Sequence, residues 1–129
     1  MSTPLPTRIT ATLSVRDWAA AVDFYKRAYG AVELHCVPGG GVAQLCVGAA
    51  EFWVAEESAA NQNFSPMSLG GCSVRMLLIT NDPAAVWRQA IAAGAKAISP
   101  VAEAHGWCIG RVLDPAGHHW EIARPMRCT

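Results

Sequence analysis

Charge is scarce in this chain. Only 16% of its 129 residues are charged, and ten Lys and Arg balance ten Asp and Glu. No run of one sign breaks that balance, so neither a nucleic-acid partner nor electrostatic docking to a membrane is expected. No apolar stretch approaches the ~20 residues of a membrane span, and Met1 to Arg8 does not read as a signal peptide. A C-x-x-C pair is missing as well. The five cysteines, Cys36, Cys46, Cys72, Cys108 and Cys128, are scattered and odd in number. That argues against a zinc site or a disulfide framework, and for reduced thiols in the cytoplasm.

What the chain has is apolar surface. Hydrophobic residues make up 52% of it, enough to bury a core in one domain spanning 1–129. A neutral, apolar chain also has little self-repulsion, so a homodimer is expected.

One motif is written twice. Val15 to Ala31 and Ile79 to Ala95 align without a gap, placing Ala20-Ala21-Val22 on Ala84-Ala85-Val86 and Gly30-Ala31 on Gly94-Ala95. Two copies of one supersecondary unit, each burying its apolar face with the other's help, leave a seam where a ligand site can form.

Ile9 to Val15 alternates strictly and reads as a half-buried strand. Asp17 caps a helix that runs with Trp18, Ala21, Val22, Tyr25 and Tyr29 at helical spacing and stops at Gly30. Val32–Val37, Val42–Val47 and Phe52–Ala55 read as strands separated by Pro38-Gly39-Gly40-Gly41 and Gly48-Ala49-Ala50. The polar stretch of about 58–72 is a linker. The second half repeats the order: a strand over Val74–Thr80, then a helix capped by Asp82 with Pro83 in its first turn. Strands follow near Ala97-Ile98, over Trp107–Leu113 and over His119–Ala123. Asp114-Pro115-Ala116-Gly117 is a hairpin turn, because Pro presets φ and Gly tolerates positive φ. Each half is thus β-α-β-β-β, with module one at about 9–57 and module two at about 73–125.

These residues resemble the vicinal-oxygen-chelate superfamily, which includes glyoxalase I, bleomycin-resistance proteins, fosfomycin-resistance enzymes and extradiol dioxygenases. Asp17, Ala21, Phe24-Tyr25 and Gly30 match its early helix signature; Asp114-Pro115-Ala116-Gly117 and Glu121 match its late hairpin. Ser65-Pro66, Gly70-Gly71, Ala93-Gly94-Ala95 and His118-His119-Trp120 are similar to the PhnB-like branch. The resemblance implies an α+β fold: two βαβββ modules forming a curled, cup-shaped mixed sheet with helices outside, in a homodimer.

It also implies four metal-ligand positions, on the first and last strand of each module. Glu121 fits one of them. The others carry Thr10, Arg75 and either Trp53 or Val54, and one ligand in four does not hold a divalent ion. The expectation is a cup without a metal cofactor that binds a small organic molecule of aromatic or drug-like character. Thr10, Thr12, Arg75, His119 and Glu121 would be its polar contacts, with Phe52, Val54 and Trp107 as walls. Glu121 would serve as the anion of the pocket or as a general base. Arg75 and Glu121 would pair in the space a metal fills in relatives.

Two alternatives stay open. One is a lyase or dioxygenase of the glyoxalase type, holding one divalent ion through Glu121, His119 and residues of a partner chain. The other is a non-catalytic structural dimer. His118 and His119 are adjacent on a strand and face opposite sides, so only His119 could join Glu121. Trp18, Trp53, Trp87 and Trp120 read as core, His35 and His105 as surface or loop histidines, and Cys46 and Cys108 as ordinary thiols.

Overall fold

The structure is a computed structural model that describes residues 3–37 and 39–126. Pro38 of the first expected turn and Cys128 lie outside the described residues. Module one comprises β1 (Thr12–Val15), α1 (Trp18–Tyr29), β2 (Val32–Val37), β3 (Val42–Val47) and β4 (Ala50–Glu56). Module two comprises β5 (Met76–Ile79), α3 (Pro83–Ala92), β6 (Lys96–Ala104), β7 (Trp107–Leu113) and β8 (His119–Pro125). Between them the linker holds a 3-10 turn at Ala59–Asn61 and a short helix, α2 (Pro66–Leu69).

Local chemistry explains the elements. The Asp17 carboxylate accepts the Ala20 N–H at 3.1 Å, and the Asp82 carboxylate accepts the Ala85 N–H at 3.1 Å, satisfying donors each helix start leaves free. At the far end of α1, Gly30 takes φ 68°. This lets the Ala31 N–H reach back to the Tyr25 carbonyl at 3.2 Å, a left-handed cap that favours glycine.

Each module forms a four-stranded mixed sheet, ordered β1-β4-β3-β2 in one and β5-β8-β7-β6 in the other. In each, the first strand runs parallel to the last, and the other pairs are antiparallel. α1 packs on β3 and β4, α3 packs on β6, β7 and β8, and the two helices pack on each other. This is the expected α+β class, with one correction. Among the described residues no hydrogen-bonded ladder joins β1 to β5, so there are two sheets rather than one. Both edge strands are only four residues long. The linker side chains Phe64, Pro66 and Leu69 line the gap between them.

β1 is also shorter than the alternation of Ile9–Val15 implies. Ile9 is fully exposed, and the last link to β4 before the strand begins is the Ala11 carbonyl, which accepts the Trp53 N–H at 2.8 Å.

The repeat is real, but its gap-free alignment is shifted by one residue. The cap Asp82 follows the cap Asp17 by 65 positions, while Gly94 follows Gly30 by 64. In the sheets Leu13 opposes Val54 and Leu78 opposes Ile122, again with 65 positions between Leu13 and Leu78. Val15 therefore does not correspond to Ile79. Val15 is fully buried, and Ile79 is 61% exposed.

The core lies between the sheets and the helices. Val15, Ala43, Leu45, Val54, Val112 and Ile122 fill it from the strands, and Ala21, Val22, Phe24, Tyr25 and Ala28 from α1. Phe24, Tyr25, Tyr29, Phe52 and Trp120 form one aromatic cluster with ring centroids 4.8–6.2 Å apart. Such contacts stabilise by roughly 0.5–1.5 kcal/mol per pair beyond simple burial.

Inside that cluster sits Asp114, only 3% exposed. Its Oδ2 accepts the Tyr25 hydroxyl and, at 2.9 Å, the Trp120 indole N–H. Its Oδ1 accepts the backbone N–H groups of Ala116 and His118, both at 2.9 Å. A buried carboxylate is tolerated because its lone pairs are met. The Asp-Pro-Ala-Gly turn thereby joins the modules, and His118 adds a second tie through a 2.9 Å hydrogen bond between Nε2 and the Ser14 carbonyl. Burial and the neighbouring Asp114 charge push the Tyr25 and Tyr29 hydroxyls well above their usual pKa.

Candidate functional site

Period-two alternation sorts β1, β3, β4, β7 and β8 between the core and the face turned away from the helices. On β8 the core side takes Trp120 and Ile122, leaving His119 and Glu121 on the open face. In the register of the sheet, Glu121 lies opposite Leu77 of β5 and Arg111 of β7. Glu121 Oε1 accepts Arg75 Nε at 2.8 Å, and Arg111 Nη2 stands 3.7 Å from Glu121 Oε2. The hydrogen bond to Glu121 raises the Arg75 pKa. Arg75 and Glu121 therefore meet, as their positions imply. The pair is solvated rather than enclosed, since the Arg75 side chain is 54% exposed and that of Glu121 22%.

Arg111 is the residue sequence reasoning missed. The signal for it was present: the Asp114 turn fixes Leu113 opposite His119, and the hairpin then places Arg111 opposite Glu121.

Corresponding positions in module one carry other chemistry. Trp53 occupies on β4 the place of Glu121 on β8, flanked by Thr12 of β1 and Gln44 of β3. Its ring meets the His35 ring edge-on at 6.1 Å. Trp53 is thus half-buried on the open face, not core as the sequence suggested. Glu51, two residues earlier on the same face, holds Arg8 and Gln44, each at 3.1 Å.

Other expected contacts fall elsewhere. Phe52 and Val54 are buried beneath α1, with Phe52 edge-on to Tyr25 at 5.5 Å. Alternation turns both away from the open face that Trp53 occupies; Val54 packs in the core, while Phe52 also lines an apolar hollow beside β5. Thr10 precedes β1, is exposed, and donates its hydroxyl to the Glu51 carbonyl at 3.0 Å. Thr12 is exposed at the seam. Trp107 opens β7 opposite Ala104 and Pro125, away from the seam. His119 faces the same side as Glu121, and its Nδ1 is buried without a hydrogen-bond partner among the described residues.

The seam itself is a groove of about 290 Å³ between the two edge strands. It is lined by Ala11–Ser14 from β1's side, by Val74 and Met76 from the other, and by Phe64 and Leu69 from the linker. An apolar hollow of about 280 Å³ continues it past Met76 along Leu77–Ile79. The linker is pinned over this seam. Glu57 accepts the Ser65 N–H at 2.8 Å and the Ser68 hydroxyl at 3.1 Å, and Arg16 lies 3.5 Å away. Those hydrogen bonds, Ser65 first, lower the Glu57 pKa.

The residues do not suit the family's metal. Among the described residues no three His, Cys, Asp or Glu side chains converge on a point that could hold an ion. Glu121, the one matching ligand, is engaged by one guanidinium and approached by a second, and this positive charge opposes a cation.

A sequence profile described as a Glyoxalase-like domain matches residues 10–123. The chain belongs to the glyoxalase-like domain family. An uncharacterised protein of Mycobacterium bovis is 35% identical over 123 residues, covering 89% of this chain and 81% of its own length. Among solved structures, a gene product of Arabidopsis thaliana is similar at 31% identity and TM-score 0.75, covering 93% of this chain and all of its own. A glyoxalase/bleomycin resistance protein/dioxygenase family enzyme of Burkholderia phytofirmans shares the fold at 20% identity and TM-score 0.71, covering 91% of this chain and 98% of its own. Both the expected superfamily and the expected fold are therefore shown. No helix of the described residues is long and apolar enough to cross a membrane.

Proposed function

We propose that this glyoxalase-like chain binds a small, partly aromatic organic molecule on the open face of its sheets, with no metal at the family's ligand position. One observation carries the reading. Glu121, which the resemblance marks as a metal ligand, is bound by Arg75 at 2.8 Å and approached by Arg111 at 3.7 Å. The half-buried Trp53 with His35 beside it, rather than Trp107, supplies the flat apolar wall. Beside that face runs the seam groove of about 290 Å³, which Trp53, His35 and Glu121 do not line; its apolar walls and few polar groups also suit the body of such a ligand.

The chain acts in this reading as a homodimer. Supporting this, Val32, Leu34 and Val37 are exposed along β2, an apolar surface that association would cover.

Elemental analysis of the purified protein tests the first part, and less than about a tenth of an ion per chain is expected. A stoichiometric divalent ion lost on Glu121→Ala would overturn the reading in favour of the metal enzyme. Titration of the chelator-treated protein with flat aromatic compounds should quench tryptophan fluorescence saturably. Trp53→Phe should remove most of that change and Trp107→Phe little. Light scattering reads the dimer.

A further inference from the structure

We propose that Arg75 and Arg111 form an anion subsite, so that the molecule bound on this face carries a carboxylate. The inference rests on the binding reading above and adds the chemical class of the ligand.

Its basis is a mismatch between donors and acceptors. Two guanidiniums converge on one carboxylate, leaving one net positive charge at Glu121. Each guanidinium has five N–H donors. Among the described residues the only side-chain hydrogen bond these two arginines make is the one from Arg75 Nε to Glu121. The Arg75 and Arg111 side chains are 54% and 32% exposed, so their remaining donors are open to solvent and to a ligand. Both lie on the open face: Arg111 directly opposite Glu121 across the β7–β8 ladder, Arg75 just before β5 between the groove-lining Val74 and Met76.

The planar fork of a guanidinium matches a carboxylate through two parallel hydrogen bonds, which a lysine in the same place could not offer. Glu121 sets the aim. By engaging Nε of Arg75 it holds that guanidinium, while the Nη groups make no side-chain hydrogen bond among the described residues. Leu77, opposite Glu121 and 49% exposed, provides apolar surface beside the charge. A carboxylate on an apolar body satisfies both.

The test uses 2-naphthoate and its uncharged counterpart 2-naphthamide, titrated into the chelator-treated chain by calorimetry. The acid is expected to bind about tenfold more tightly than the amide. Raising sodium chloride from about 50 to about 500 mM should weaken the acid alone, because the contacts are partly solvated. Arg75→Gln and Arg111→Gln should each cost the acid about tenfold and leave the amide unchanged. Circular dichroism confirms that both variants fold. Equal binding of acid and amide, or acid binding indifferent to both variants, overturns the anion subsite and leaves the binding reading standing. Binding of neither compound overturns both.

Discussion

The two sheets share a topology, yet at matching points of their open faces they carry opposite chemistry. Module one presents Trp53 between Thr12 and Gln44; module two presents Glu121 between Leu77 and Arg111. The buried faces hardly differ in kind: Phe52 and Val54 on β4 are answered by Trp120 and Ile122 on β8. A sheet with one packed and one free face keeps the first under the demands of packing and lets the second diverge. The helices differ too. α1 buries five residues against the core, while α3 buries only Pro83 and Ala90. Module one is the better packed half, and module two sets two arginines around one carboxylate on its open face.

The bond between the halves gives the largest test of that contrast. Asp114→Ala should destabilise the protein by on the order of 3–5 kcal/mol in thermal or urea denaturation. It leaves the Tyr25 hydroxyl, the Trp120 indole and two backbone N–H groups without their acceptor. A loss below about 1 kcal/mol would mean that the Asp114 network adds little to what holds the modules together.

Packing comes next. Leu45→Ala, at a fully buried site in module one, should cost about 2–5 kcal/mol. Leu77→Ala, on the open face of module two, should stay within about 0.5 kcal/mol. Similar losses at both sites would mean that the open face of module two is as tightly packed as the core of module one.

Alkali singles out α1, which carries both tyrosines. Each is held protonated in the folded state well above the usual range. Their contribution is therefore complete below pH about 10 and lost as pH rises beyond it, by about 1.4 kcal/mol per unit for each tyrosine. Tyr25→Phe should roughly halve that slope, read from melting temperature against pH.

The smallest effect belongs to the linker. The Glu57 pKa is lowered chiefly by the Ser65 N–H. Its contribution is present above the ordinary carboxylate range and fades as pH falls through the lowered value. Glu57→Gln should speed hydrogen exchange at the Ser65 and Ser68 amides while leaving the amides of β4 unchanged.

How legible the molecule was in its sequence follows the same division. Caps, turns and alternation are local, so Asp17, Gly30, Asp82 and the Asp114 turn marked the elements correctly. The repeat misled by one residue. Its strongest identities lie at the helix ends, and α3 is two residues shorter than α1. The inward facing of Phe52 and Val54 was readable from alternation against Trp53, but the resemblance drew attention to ligand positions instead. The meeting of Arg75 with Glu121 could be inferred from that same resemblance. Arg111 needed the hairpin register counted outward from the turn. The tie from Asp114 to Tyr25 spans 89 positions, and no local pattern announces a contact so distant.

That span has a consequence for how the chain comes to be folded. α1 leaves the ribosome long before Asp114 does, and until then the Tyr25 hydroxyl has only water to bond. The apolar cluster around it lacks Trp120 for the same interval. Closing so long a loop costs entropy before any contact repays it, so folding should wait for the last hairpin and proceed slowly for a chain of this size. A nascent chain stalled before Asp114 would hold a first module with its aromatic face still wet, a species for chaperones to shelter rather than a folded half.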